Sequence, residues 1–241
     1  MQIYGNSDKG KVRDNNEDAF AYESLSPTAY FAVVCDGMGG ANAGNVASEY
    51  AVRVIKEYLL RSYRMGMSSV QIENIMRSAV YSANTAVYEA ADKDESLRGM
   101  GTTVVLLLVD GTTGYVLHIG DSRAYCYSSG SLSQLTVDHS VVQNMIDSGE
   151  ITPDEAKIHP SKNIITRALG VANEVHSDLD FIDLNAGDVM LLCSDGLSNY
   201  VSPEEISRIL ESFDQDVASR LIDKANAGGG GDNITAVVIK I

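Results

Sequence analysis

Hydrophobic and polar positions change rhythm several times along the chain, and each change marks an element. The run "FAVVC", Phe31–Cys35, is unbroken apolar and strand-like, and it ends on Asp36 among closely spaced glycines. Helical spacing follows twice: Val46, Tyr50, Val54 and Tyr58 beside Ala47, Ala51, Ile55 and Leu59, then Ile72, Ile75, Met76, Ala79, Val80, Ala83 and Val87. Each of these two helices has one face to bury. From Thr102 the texture becomes β-rich, "TTVVLLLVDGTTGYVLHIGDSRAYCYSSGSLSQLT", with Asp110-Gly111 and Ser129-Gly130 predicting consecutive antiparallel hairpins. Residues 141–170 interrupt the sheet with a short helix, then a capping box with proline at the first helical position (Thr152-Pro153-Asp154-Glu155), then "HPSKN". Strands return at "EVHSDLDFIDL" and "DVMLLCSDG". Ser202-Pro203-Glu204-Glu205 caps another helix, a further one is predicted over about 214–226, and "NITAVVIKI" closes as a strand. The order is strands, helix pair, strands, helix pair, strand. It predicts an α+β fold of two antiparallel sheets packed face to face, with a helix pair on each outer face.

With 241 residues, 44% of them hydrophobic and 21% charged, the chain suffices for one large core, and no linker divides it, so residues 1–241 are expected to form a single domain. Its N-terminal stretch lacks a basic segment followed by an apolar one, and no stretch approaches the roughly 20 apolar residues that cross a bilayer. A soluble, cytoplasmic monomer away from membranes is the expectation. The net charge of −15 argues against nucleic acid and anionic lipid as partners and leaves cations as the natural complement of the acids. Three cysteines, Cys35, Cys126 and Cys193, do not make a disulfide framework, and Cys35 and Cys193 read as core residues.

Two phosphate-cradling loops can be tested at Asp36 by counting. A dinucleotide fingerprint from Gly37 and Gly39 needs a third glycine where Asn42 stands, and a P-loop from Gly39 to Gly44 needs Lys and Ser or Thr where Asn45 and Val46 stand. Both fail. The Asp-Gly after "FAVVC" instead has an echo in "VMLLCSDG", and "HIGDS" and "GGGGDN" add two more acids beside strands and glycines. With "NNED" the candidates are Glu17, Asp18, Asp36, Asp121, Asp195 and Asp232, whereas Asp110 reads as a turn residue. Carboxylates suit Mg²⁺ and Mn²⁺; none of the four histidines, His118, His139, His159 and His176, has a partner at zinc-site spacing.

Taken together, "RDNNEDAF", "VVCDGMGGANAGNVAS", "GTTVV", "IGDSRAY", "LTVDHS", "ITRALG", "LLCSDGL" and "GGGDNITAVVI" resemble, in order and over essentially the whole chain, the metal-dependent type 2C serine/threonine protein phosphatases in their compact bacterial form. The resemblance implies an αββα sandwich and hydrolysis of phosphoserine and phosphothreonine in proteins by a metal-activated water, without a phosphoenzyme intermediate. It implies two or three Mn²⁺ or Mg²⁺ ions, two of them bridged by Asp36, with the Gly37 carbonyl, Asp195 and Asp232 as further ligands. Asp121 with Asp195 would hold the third. Glu17 would act through metal-bound water, Asp18 would stand behind the ligands, and Arg13 would grip the substrate phosphate. Thr102, Ser122 and Asn233 match motif positions that read equally as support for the site or as ordinary strand-end hydrogen-bonders. Residues 141–170 correspond to a flap that tunes substrate access, and the implied partners are phosphoproteins, including a Ser/Thr kinase.

One position departs from the family's animal members: Met38 stands where they carry a histidine proposed to protonate the leaving oxygen. Methionine has no such proton, which leaves a metal-bound water as the acid, or His139 or His159 if the fold brings either within reach. A cysteine-based phosphatase is excluded, because Ala41, Leu132 and Asn199 occupy the places where its arginine would be needed. A catalytically degenerate phosphoprotein-binding module that keeps the fold would be expected to lose some of these acids or Arg13, all of which are present, and in a structural cation-binding protein the metal should be fully enclosed and Arg13 would be idle.

Overall fold

The computed structural model describes residues 1–39 and 43–241; Gly40, Ala41 and Asn42 of the glycine-rich motif lie outside the described residues. The chain runs β1 (Gln2–Asp8), β2 (Asp18–Ser26), β3 (Ala29–Met38), α1 (Ala43–Ser62), α2 (Ser69–Lys93), β4 (Gly101–Thr102), β5 (Val104–Asp110), β6 (Thr113–Ile119), β7 (Arg123–Ser128) and β8 (Ser131–Gln134). It continues through α3 (Val141–Asp147), α4 (Pro153–Ala156), β9 (Asp178–Asp183), β10 (Val189–Cys193), α5 (Asp195–Ser198), α6 (Pro203–Glu211), α7 (Val217–Ala227) and β11 (Ile234–Lys240).

Two antiparallel sheets result. One is ordered β1-β11-β10-β7-β8 and the other β2-β3-β5-β6-β9, with β4 pairing off this path against β3. The long apolar runs follow from burial on both faces. On β5, Val104, Leu106 and Leu108 pack toward α1 and α2, while Val105, Leu107 and Val109 enter the layer between the sheets. On β11, Ile234, Ala236 and Val238 pack toward α6 and α7, while Val237 and Ile239 face the same middle layer. Period-two alternation thus distributes one strand's side chains between two cores, and truncating any such leucine to alanine costs about 2–5 kcal/mol. The expected sandwich with outer helix pairs is the one observed.

Local chemistry sets the element ends. Thr152 and Glu155 form the reciprocal capping box that the sequence predicts, and the Ser202 side chain accepts from Glu205 N–H at the start of α6. The last helix starts at Val217, later than its pattern predicts, because the Asp214 carboxylate takes the Asp216 N–H (2.9 Å) and holds a turn there. The β-rich stretch after Thr102 is not one meander. β5–β6 and β7–β8 are hairpins in different sheets, and Gly120-Asp121-Ser122 carries the chain from one sheet to the other. That crossing brings Asp121 to the sheet ends where the other acids gather. All three cysteines are buried and free, Cys126 included. Among the described residues no helix is long and apolar enough to cross a membrane.

Candidate active site

Antiparallel pairing of β2 with β3 sets Asp18 directly opposite Asp36. The backbone of Asp36 is fixed on both sides: its N–H donates to Thr103 Oγ1 (3.0 Å), and its carbonyl accepts from Thr102 Oγ1 (2.8 Å) and Thr103 N–H (2.9 Å). Ser122 Oγ in turn shares a hydrogen bond with Thr103 Oγ1 (2.7 Å), tying the Asp121 turn to the Asp36 strand. Gly37 must be glycine because a Cβ there would meet Gly44 O at 2.1 Å and Glu17 O at 2.6 Å. Asn233 pins the segment leading to Glu17, accepting from Glu17 N–H (2.8 Å) and donating to the carbonyls of Lys9 (3.0 Å) and Asn15 (2.8 Å).

These elements surround a cleft of about 230 Å³, and Glu17, Asp36, Gly37, Asp121, Asp195, Asp232 and Arg13 all line it. Every residue that the sequence marked as a ligand is therefore in one place. Asp18 lies just behind them, its Oδ2 held by Ser194 Oγ and Thr235 Oγ1 (2.7 Å each). Of the support residues, Asn233 reaches the cleft wall, whereas Thr102 and Ser122 act from below through the Asp36 and Thr103 bonds. Arg13 is 52% exposed and reaches Asp232 Oδ2 through Nη2 at 2.8 Å. One donor of its fork is thereby used. Met38 also lines the cleft, as do Asn163 and Ile165 from the 141–170 segment; among the described residues no histidine lines it, His139 and His159 included. A larger hollow of about 570 Å³ between α2 and Val171 has no gathering of acids comparable to this one.

Crowding of half-buried carboxyls makes their ionisation costly. Burial above all, then the neighbouring acids, pushes Asp18 and Asp121 up to about 7 and Asp195 up to about 6. Asp36 is raised well above the ordinary carboxylate range by burial and by Asp18, Asp195, Asp121 and Asp232. Glu17 rises for the same leading reason. Asp18 Oδ1 is buried without a hydrogen-bond partner. An all-oxygen donor set under mutual repulsion fits divalent Mg²⁺ or Mn²⁺, hard cations that would satisfy it.

Comparison with known proteins decides the family. The family model described as protein phosphatase 2C matches residues 10–226. The chain belongs to the protein phosphatase 2C family. Among this phosphatase's relatives is the serine/threonine phosphatase stp of Listeria monocytogenes, 37% identical over 236 residues that span 97% of this chain and 93% of that one. The crystal structure of serine/threonine phosphatase Stp1 from Staphylococcus aureus superposes with a TM-score of 0.94 at 36% identity, covering 100% of this chain and 95% of that one. The catalytic domain of serine/threonine protein phosphatase PstP, solved in complex with two manganese ions, matches at a TM-score of 0.85 and 38% identity, covering 98% of this chain and 96% of its own.

Several contributors carry no signal in the sequence alone. Thr103, Ser194 and Thr235 hold the two central aspartates, yet each is an ordinary strand-end hydroxyl until the strands pair. The histidines likewise come together only in the fold: His118, His139 and Asp178 bring ligating atoms within 4.8 Å of one another although no spacing suggests it. That cluster is not suited to a metal. His139 Nδ1 accepts from Gly120 N–H (3.1 Å), its Nε2 faces Asp178 Oδ2 (3.1 Å), and the Arg167 guanidinium lies 3.0 Å from the same nitrogen. Both ring nitrogens are engaged beside a fixed positive charge.

Proposed function

We propose that this phosphatase removes phosphate from phosphoserine and phosphothreonine in proteins by direct attack of water, without a phosphoenzyme intermediate, at a centre of two or three Mn²⁺ or Mg²⁺ ions. Asp36, the Gly37 carbonyl, Asp195 and Asp232 would hold two of them, with Glu17 beside; Asp121 and Asp195 would hold the third. The observation that carries the reading is the convergence of five acids and an arginine on one cleft that, among the described residues, no cysteine or histidine lines. When bound, such ions lower the pKa of water toward 7 and supply the positive charge that a phosphate dianion needs in an acidic site.

The chain's own residues do the rest. Thr102 and Thr103 hold the Asp36 backbone immobile, so the carboxylate is presented in one position. Arg13, at the rim, keeps donors beyond the one given to Asp232 and suits two-point capture of phosphate oxygens. Met38 cannot supply the leaving alkoxide with a proton, so that proton comes from solvent held in the cleft. Asn163 and Ile165 line the cleft, which supports reading the 141–170 flap as a selector of protein substrates.

The substrates proposed are phosphoproteins, including a Ser/Thr kinase that the enzyme opposes. The three free thiols suit a reducing cytoplasm, and the charge of −15 disfavours self-association. Rapid-quench turnover of a ³²P-phosphothreonine peptide tests the mechanism: all label should pass to free phosphate, and acid-stable label retained on the protein would refute direct attack by water.

A further inference from the structure

The turn Gly120–Ser122 links the two sheets and delivers Asp121 to the cleft. It is held at both ends by two consecutive residues at the neck of the flap. At one end, Gly120 gives both of its backbone groups to His139: its N–H donates to His139 Nδ1 (3.1 Å), and its carbonyl accepts from His139 N–H (2.9 Å). Gly120 itself has φ +103, and a Cβ there would meet Thr103 Cγ2 at 2.6 Å. At the other end, Arg123 binds Asp138 with both prongs of its guanidinium, Nε to Oδ1 (2.9 Å) and Nη2 to Oδ2 (2.7 Å).

His139 is itself strongly located. Because Nδ1 accepts, its proton is on Nε2 and is donated to Asp178 Oδ2 (3.1 Å). Arg167 holds Asp178 Oδ1 (3.0 Å), and the His118 ring stacks on His139 at 4.6 Å between centroids. The His139 carbonyl accepts from Thr166 N–H (2.8 Å), closing the neck of the flap. Burial keeps the His139 ring below the ordinary histidine range, which preserves the neutral, accepting form.

We propose that Asp138 and His139 are positioning residues that fix where Asp121 presents its carboxylate and thereby set the affinity for the ion that Asp121 holds. The inference rests on the reading of Asp121 as a ligand. Neither residue lines the cleft; His139 acts through the backbone of Gly120, and Asp138 through the side chain of Arg123, the residue that follows the turn. Outer partners that orient a ligand are typically worth 10–100-fold in metal affinity.

The test is calorimetric titration of the full chain, stripped with EDTA, with Mn²⁺ alone. Asp121→Asn identifies the binding step that depends on Asp121. His139→Leu removes the acceptor at similar volume, and Arg123→Lys keeps the charge but loses the two-point grip on Asp138. Both should weaken that same step about tenfold while the remaining steps stay within about twofold. His139→Asn, which restores an acceptor oxygen near the place of Nδ1, should bring the step back toward wild type. Thermal melting identifies the folded variants, and Arg123→Lys decides alone if His139→Leu does not fold. Uniform weakening of every step, or an unmoved Asp121 step in folded variants, overturns the positioning role while leaving Asp121 a ligand. An isotherm that Asp121→Asn leaves unchanged overturns the ligand assignment and the positioning role with it.

Discussion

Replacing Asp18 by asparagine should stabilise the metal-free protein at neutral pH. Asp18 is half-buried with its Oδ1 shut off from solvent, sits opposite Asp36 and is pushed from 3.8 up to about 7 by burial of the carboxyl and, behind it, by Asp195 and Asp232, against the hydrogen bonds from Ser194 and Thr235. A raised carboxyl holds its proton longer in the folded state than in the unfolded one. Its penalty is therefore absent below about pH 4, grows as pH rises, and is complete above about 7. At roughly 1.4 kcal/mol per pH unit, the penalty is about 4 kcal/mol at pH 7.5, where Asp18 is ionised in the fold, and about 2 kcal/mol at pH 5.5, where folding takes up a proton. Asparagine escapes this penalty and keeps an oxygen for Ser194 and Thr235, but it places an NH₂ where Oδ1 already lacks a partner, which costs about 1–3 kcal/mol. The net gain is about 2 kcal/mol at pH 7.5, or ~4–8 °C in melting temperature for a chain of this size, and close to nothing at pH 5.5. The assay is thermal unfolding of wild type and Asp18→Asn in EDTA at both pH values. A variant no more stable than wild type at pH 7.5, or a gain that does not shrink at pH 5.5, would refute the claim that ionising the desolvated Asp18 beside other acids strains the metal-free site.

Other expectations follow from the same geometry. Arg13→Lys should fold normally, since Arg13 is half exposed, but should lower kcat/KM for a phosphothreonine peptide about 10–100-fold through loss of two-point capture, measured by phosphate release. Met38→His should add an acid limb to the pH–rate profile if position 38 can reach the leaving oxygen; an unchanged profile would leave solvent as the proton source. Deleting or rigidifying the flap should change turnover of a phosphoprotein more than that of p-nitrophenyl phosphate, because Asn163 and Ile165 line the cleft without being among its carboxyls. Equal effects on both substrates would remove the flap from substrate selection.

Much of this molecule is legible in its sequence, because its strands alternate two cores within continuous apolar runs and its candidate ligands stand at the ends of those runs. Asp36, Asp195 and Asp232 each sit beside a strand or a glycine, and that local signal survives without tertiary information. What could not be read was whatever depends on pairing between distant segments. The Ser194 and Thr235 grip on Asp18 spans 176 and 217 residues. The sheet change at Gly120–Ser122 leaves the hairpin pattern unbroken in sequence, so it passes for one more turn. Spacing along the chain gives the histidines no partner, whereas His118 and His139 meet because Leu135–His139 folds back over β6 and β7.

The most direct test of the central claim is phosphate release from a phosphothreonine peptide by wild type in Mn²⁺, by wild type in EDTA, and by Asp36→Asn in Mn²⁺. The account predicts turnover only in the first case, with the variant folded and p-nitrophenyl phosphate hydrolysis lost in parallel. Undiminished turnover in EDTA, or by folded Asp36→Asn, would contradict a chemistry built on metal ions held at Asp36.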